Sequence, residues 1–220
     1  MTLWRWAAVA AIPFLLIALS FGRIAGIDAC HPPGEPILLF ELVTSPGQVA
    51  ALFPPHCAAA ATAAQVSGLR IDNFAFIPVY SAFLLLVLAA LRRDGRFPRS
   101  LFRLGLALVL TAVVADYWEN SRLAAILASL PGTQADVAAL IPAPRIKFAA
   151  LALAELLAAG MLWRGGGWRR WIALPAGFGG LLSLAGLVAN RAWILPGGTL
   201  AYLALILVAW TAALRRRTTY

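Results

Sequence analysis

The sequence predicts an all-α fold: a polytopic membrane helix bundle of about six transmembrane helices, with one folded external loop. Three observations lead there. Of 220 residues, 62% are hydrophobic and 12% charged, with a mean hydropathy of +0.83; soluble domains have about 45–50% apolar and about 25% charged residues. Six apolar runs each approach the roughly 20 residues that a spanning helix needs. The arginines gather in the connections between those runs, as orientation in a bilayer requires. The net charge of +9 is therefore read through the membrane, and no nucleic-acid partner is expected.

The first run, Leu3–Phe21, carries Arg5 ahead of its apolar stretch, and Ile27-Asp28-Ala29-Cys30 has the look of a lipoprotein cleavage site. The run is long for a signal core, Asp28 fits the motif poorly, and Cys30 lies far from the run, so an uncleaved first helix is the simpler reading. A loop follows from Gly22 to Arg70, inserted between the first two spans of a single membrane domain covering residues 1–220. The other spans are Ile71–Leu91, Phe102–Asn120, Ile146–Trp163, Trp171–Ala189 and Gly198–Leu214.

Topology follows from the cations. Arg5, Arg92, Arg93, Arg96, Arg99, Arg103, Arg164, Arg169, Arg170 and Arg215–Arg217 fall on one side; Arg23, Arg70, Arg122, Arg145, Lys147 and Arg191 fall on the other. Twelve against six places both termini in the cytoplasm of a bacterial inner (plasma) membrane. The long loop then lies outside. It holds the only cysteines, in Cys30-His31-Pro32-Pro33 and Pro54-Pro55-His56-Cys57. An oxidising location favours a Cys30–Cys57 disulfide. Two Cys and two His also form a formal zinc set, but adjacent Cys-His pairs rarely aim at one metal and the usual spacings are missing; two free thiols are the third possibility. Within the loop, Ser45 as cap, Pro46 at the first helical position and Gln48 completing a capping box predict a helix start. Pro54-Pro55 should stop that helix, and Ala58–Ala64 should form a second short one. The loop is thus expected to be a folded cap.

With this topology the membrane-embedded polar groups converge on the outer leaflet. Asp72 and Asn73 open the second span; Asp116, Glu119 and Asn120 close the third; Lys147 starts the fourth, with Glu155 about two turns deeper. Carboxylates in hydrocarbon cost at least about 2.5 kcal/mol each near the bilayer centre, so they are expected to be paired, hydrated or used. Asp116, Glu119 and Asn120 share a helical face at i, i+3 and i+4. Asn73 and Tyr80 share another, and Pro78 should kink the helix and open a pocket near Tyr80. Lys147 is the cation available to the carboxylates. The candidate catalytic set is Asp72, Asp116, Glu119 and Lys147, as acid–base groups; the candidate ligand-binding set is Asn73, Tyr80, Asn120 and Glu155. The plainer alternative is that these groups only staple helices together.

No Walker loop, HExxH, GxSxG or paired-aspartate motif is present, and no cofactor or metal is expected. Gly165-Gly166-Gly167 reads as a hairpin, the tryptophans near span ends as an interfacial belt, and Gly177, Gly179, Gly180 and Gly186 as a close-packing stripe.

The segments ILLFELVTSPGQVAALF, IDNFAFIPVYSAFL, ADYWENSRLAAIL and RIKFAALAL cover roughly the middle half of the chain. In them the chain resembles a group of bacterial integral membrane proteins in which an Asp with a following Tyr, an Asp-x-x-Glu-Asn motif and a Lys recur in this order. No activity is established for that group, so the resemblance implies no role for any residue. Three functions compete: binding or modifying a membrane lipid or other small amphiphile at the outer leaflet; proton-coupled transport with Glu155 as proton carrier; and a structural or assembly subunit with no ligand.

Overall fold

A computed structural model describes residues 2–30, 36–95 and 97–215. Thus His31, Glu35, Arg96, Arg216 and Arg217 lie outside the described residues. Among the described residues all regular structure is helical: α1 (Leu3–Phe21), α2 (Pro36–Glu41), α3 (Pro46–Leu52), α4 (Ala58–Ile71), a π-turn (Asp72–Phe76), α5 (Ile77–Gly95), α6 (Arg99–Ala128), α7 (Gln134–Leu140), α8 (Pro142–Arg164), α9 (Arg169–Val188), a 3₁₀ turn (Arg191–Trp193) and α10 (Ile194–Arg215). Among the described residues six helices are long and apolar enough to cross a membrane, which makes the chain a multi-pass membrane protein by length and composition.

The second and third spans are longer than their hydropathy indicates. The second runs unbroken from Ala58 to Gly95, 38 residues, or about 57 Å at about 1.5 Å per residue, against roughly 30 Å of hydrocarbon. The separate short helix expected over Ala58–Ala64 is its first two turns. The third reaches Ala128 rather than Asn120. Hydropathy marks the apolar stretch of each helix; the extensions are helical because they are rich in alanine and have a core to pack on.

The chain divides into two compact units, one of Met1–Phe14, Val79–Val113 and Lys147–Tyr220, the other of Leu15–Pro78 and Val114–Ile146. In the first, α9 and α10 meet backbone to backbone. A Cβ on Gly179 would lie 2.5 Å from the Gly197 carbonyl oxygen, and one on Gly197 2.6 Å from the Ser183 nitrogen. Ser183 Oγ donates to the Ile194 carbonyl at 3.1 Å. Gly180 packs less tightly on α8, where a Cβ would lie 3.0 Å from the Leu156 side chain and 3.1 Å from the Ala152 carbonyl oxygen. The expected glycine stripe is therefore a packing face, with Gly177 its loosest member. α1 joins this unit through Phe14, stacked 4.8 Å from Tyr202 and 5.9 Å from Phe83, and through the Trp210 indole, which donates to the Ala8 carbonyl at 3.0 Å.

The second unit has a hydrophobic core of its own. Phe40, Val43, Val49 and Phe53 from the connection after α1 meet Ala61 of α4, Leu123, Ile126 and Leu127 of α6, and Val137 and Leu140 of α7. Ser45 caps α3 as expected, accepting from the Gln48 backbone N–H at 3.3 Å. The Gln48 side chain departs from the expected box by one residue, taking the Thr44 N–H at 2.6 Å. A reciprocal box that the sequence reading missed, Thr133 with Asp136, starts α7. Cys30 and Cys57 form a disulfide, with Cα atoms 5.5 Å apart. It ties the start of this connection to the foot of α4.

Candidate functional site

The local backbone around Pro78 builds the site. Proline has no N–H and its ring collides with the carbonyl four residues back. The helix answers with a π-turn over Asp72–Phe76, in which the Ile77 N–H reaches back five residues to the Asp72 carbonyl. In that register residue 78 would donate to the carbonyl of Asn73. Tyr117 supplies the missing donor: its hydroxyl reaches the Asn73 carbonyl at 3.0 Å. The expected kink is thus a wider turn. It adds about one residue to the helical phase, which removes the basis for placing Asn73 and Tyr80 on one face.

Asn120 locks the same turn from α6. Its Nδ2 donates to Asp72 Oδ2 at 2.6 Å and to Asn73 Oδ1 at 2.9 Å, using both amide hydrogens. Asp116 and Glu119, on the same face of α6, are 3% and 0% exposed, while Asp72 and Asn73 are half-buried. Gln65, five residues before Arg70 on α4, is also buried. The structure thus brings Asp72, Asn73 and Asn120 into direct contact within the second unit and buries Asp116 and Glu119 on the same helix.

Beside this clamp a groove of about 330 Å³ opens, lined by Val66, Leu69, Arg70 and Asn73 on one wall and Ala124, Leu127 and Ala128 on the other. Each wall is a helical face, Val66, Leu69 and Arg70 at i, i+3 and i+4 on α4, continued by Asn73 of the π-turn, and Ala124, Leu127 and Ala128 at i, i+3 and i+4 on α6. The walls are apolar along most of their length and end in a guanidinium and an amide. Leu127, Val66 and Leu69 also belong to the cap core or its margin, so the groove is floored by fixed side chains. The two small alanines leave its space open. Chemically it suits an apolar chain with a polar, acceptor-bearing head. The sequence reading missed it because α4 reads as a loop until its alanines are recognised as a continuation of the second span.

Tyr80, Lys147 and Glu155 belong to the other unit. Tyr80 is 1% exposed. The Lys147 ammonium lies 4.5 Å from the centre of the Phe148 ring. Glu155 is 1% exposed, and its Oε2 has no hydrogen-bond partner among the described residues.

A second polar cluster in that unit was not foreseen. Asp94 accepts from Arg169 Nη2 at 2.8 Å and from the Trp4 indole at 2.6 Å. The Arg169 guanidinium lies 5.6 Å from the Trp4 ring centre. It joins α1, α5 and α9. The signal was available in the sequence: Asp94 is the lone acid among the arginines of its connection.

In comparisons with known proteins, no family, no curated protein and no solved structure matches the chain.

Proposed function

We propose that this protein is an integral membrane protein that binds a lipid or other amphiphile in the groove between α4 and α6. The apolar chain lies along Val66, Leu69, Ala124, Leu127 and Ala128, and the head group meets Arg70 and Asn73. The observation that carries this reading is the composition of the groove walls, apolar along most of their length and polar at one end. Its volume falls at the lower end of the roughly 300–1,000 Å³ typical of small-molecule sites. The Asn120 clamp holds Asn73 in place, and Asp72, next to Asn73 in sequence, is the nearest acid–base group should the amphiphile be modified, with Asp116 and Glu119 behind it on α6. Titration of the detergent-purified protein with dodecyl phosphate tests this. Arg70→Gln is expected to weaken binding about tenfold, the loss of one charged hydrogen bond, and Ala128→Trp to abolish it by filling the groove. Unchanged affinity in both variants would contradict the reading.

The same proposal places the protein in a bacterial inner membrane with both termini cytoplasmic. The twelve-to-six cation asymmetry supports that orientation, as does a disulfide in the connection assigned to the oxidising side. A green fluorescent protein fused after Tyr220 should fluoresce, and alkaline phosphatase fused there should be inactive. The reverse pattern would invert the topology.

A further inference from the structure

A second feature, independent of the groove, lies in the hairpin between α8 and α9. The chain there reads Trp163-Arg164-Gly165-Gly166-Gly167-Trp168-Arg169-Arg170-Trp171. Gly166 and Gly167 take φ of +71° and +57°, a left-handed turn that glycine adopts without strain. The turn sets the arginines at the facing ends of two spans. Asp94 is the only acidic residue in segments 1–6, 92–103, 163–171 and 210–217, and it is engaged by Arg169 and Trp4. The positive charge of this end therefore far exceeds its own acids. Arg164 and Arg170 are exposed. Arg170 is held in place by its Nε, which donates to the Trp163 carbonyl at 3.3 Å, and by the Trp163 ring 5.9 Å away. That contact occupies one of five guanidinium donors.

We propose that Arg164 and Arg170 form a binding site for the phosphate of an anionic membrane phospholipid. Charge complementarity selects an anion. The exposed indoles of Trp163 and Trp171, 49% and 76% accessible, select a lipid over a soluble one, because tryptophans at span ends lie at headgroup depth and bring the guanidinium groups to the level of lipid phosphates. Arginine suits that partner, since its planar fork pairs two phosphate oxygens at once. Basic positions between helix ends recognise anionic headgroups by the same physics elsewhere in membranes.

The test uses the full chain in neutral detergent doped with dioleoyl phosphatidylglycerol or dioleoyl phosphatidylcholine, following the thermal midpoint against lipid mole fraction. Phosphatidylglycerol should half-saturate at about a tenfold lower fraction than phosphatidylcholine in low salt, and high salt should remove the difference. Arg164→Gln/Arg170→Gln should raise the half-saturating fraction about tenfold, whereas Arg164→Lys/Arg170→Lys should keep most of the preference. The single Arg164→Gln, which leaves the Arg170–Trp163 contact intact, should lie between. Equal response to the two lipids, an unchanged preference in the glutamine variants, or equal loss in the lysine and glutamine variants would each overturn the proposal. Arg70 and the groove are untouched in every variant, so failure here is distinct from failure of groove binding.

Discussion

Asn120→Asp should lower stability by about 3 kcal/mol or more. Asn120 Nδ2 donates to both Asp72 Oδ2 and Asn73 Oδ1, and its own exposure is 3%. The substitution removes two hydrogen bonds, one of them to a carboxylate and worth about 1.5–3 kcal/mol. It also places a second carboxylate within hydrogen-bond distance of the first, where like charges repel in a poorly solvated setting. Asn120→Leu should cost less, about 2 kcal/mol, because donors are lost without repulsion. Tyr117→Phe should cost about 1 kcal/mol, one neutral hydrogen bond. Thermal midpoints in detergent should therefore fall in the order Tyr117→Phe, Asn120→Leu, Asn120→Asp. An Asn120→Asp protein as stable as the parent would mean that the clamp does not hold the π-turn.

Gly179→Ala should separate α9 from α10 and cost about 3 kcal/mol, the upper part of the range for overpacking. The added Cβ would meet the Gly197 carbonyl oxygen at 2.5 Å and the Ala201 nitrogen at 2.7 Å. Both are backbone atoms of a helix and cannot swing aside. In hydrocarbon this close approach is the main attraction between helices, because lipid tails solvate apolar side chains as well as other helices do. Gly177→Ala is the internal control. Its Cβ would lie 3.5 Å from the Ala159 Cβ, an ordinary contact, and alanine is the better helix former by about 1 kcal/mol. Gly177→Ala should be neutral or stabilising in a thermal melt, and Gly179→Ala strongly destabilised. Equal midpoints would show that α9 and α10 are not in close contact.

The helical class and the six spans were legible because backbone groups in hydrocarbon must bond within their own helix, and that requirement writes long apolar runs. Span ends were less legible. Hydropathy stops at Ile71 and Asn120, while the helices continue through Ala58–Arg70 and Ser121–Ala128 on helix propensity and on burial of Ala61, Leu123 and Ile126. Pro78 announced a break, but not that the break would be a π-turn whose orphan carbonyl is met by Tyr117, 44 residues away. Asp72, Asn73 and Asn120 were found from the cost of polar groups beside apolar runs. Their pairing depends on which helical faces meet, which no local pattern states. The groove needed both lessons, since its walls are the two extensions that hydropathy passes over.

Native mass spectrometry of the purified protein tests groove binding most directly. The parent chain should carry one amphiphile that survives Arg164→Gln/Arg170→Gln and is lost on Ala128→Trp, which fills the groove from an exposed position on α6. A parent chain that carries no amphiphile, or one that Ala128→Trp leaves in place, would contradict the assignment of the α4–α6 groove as the binding site.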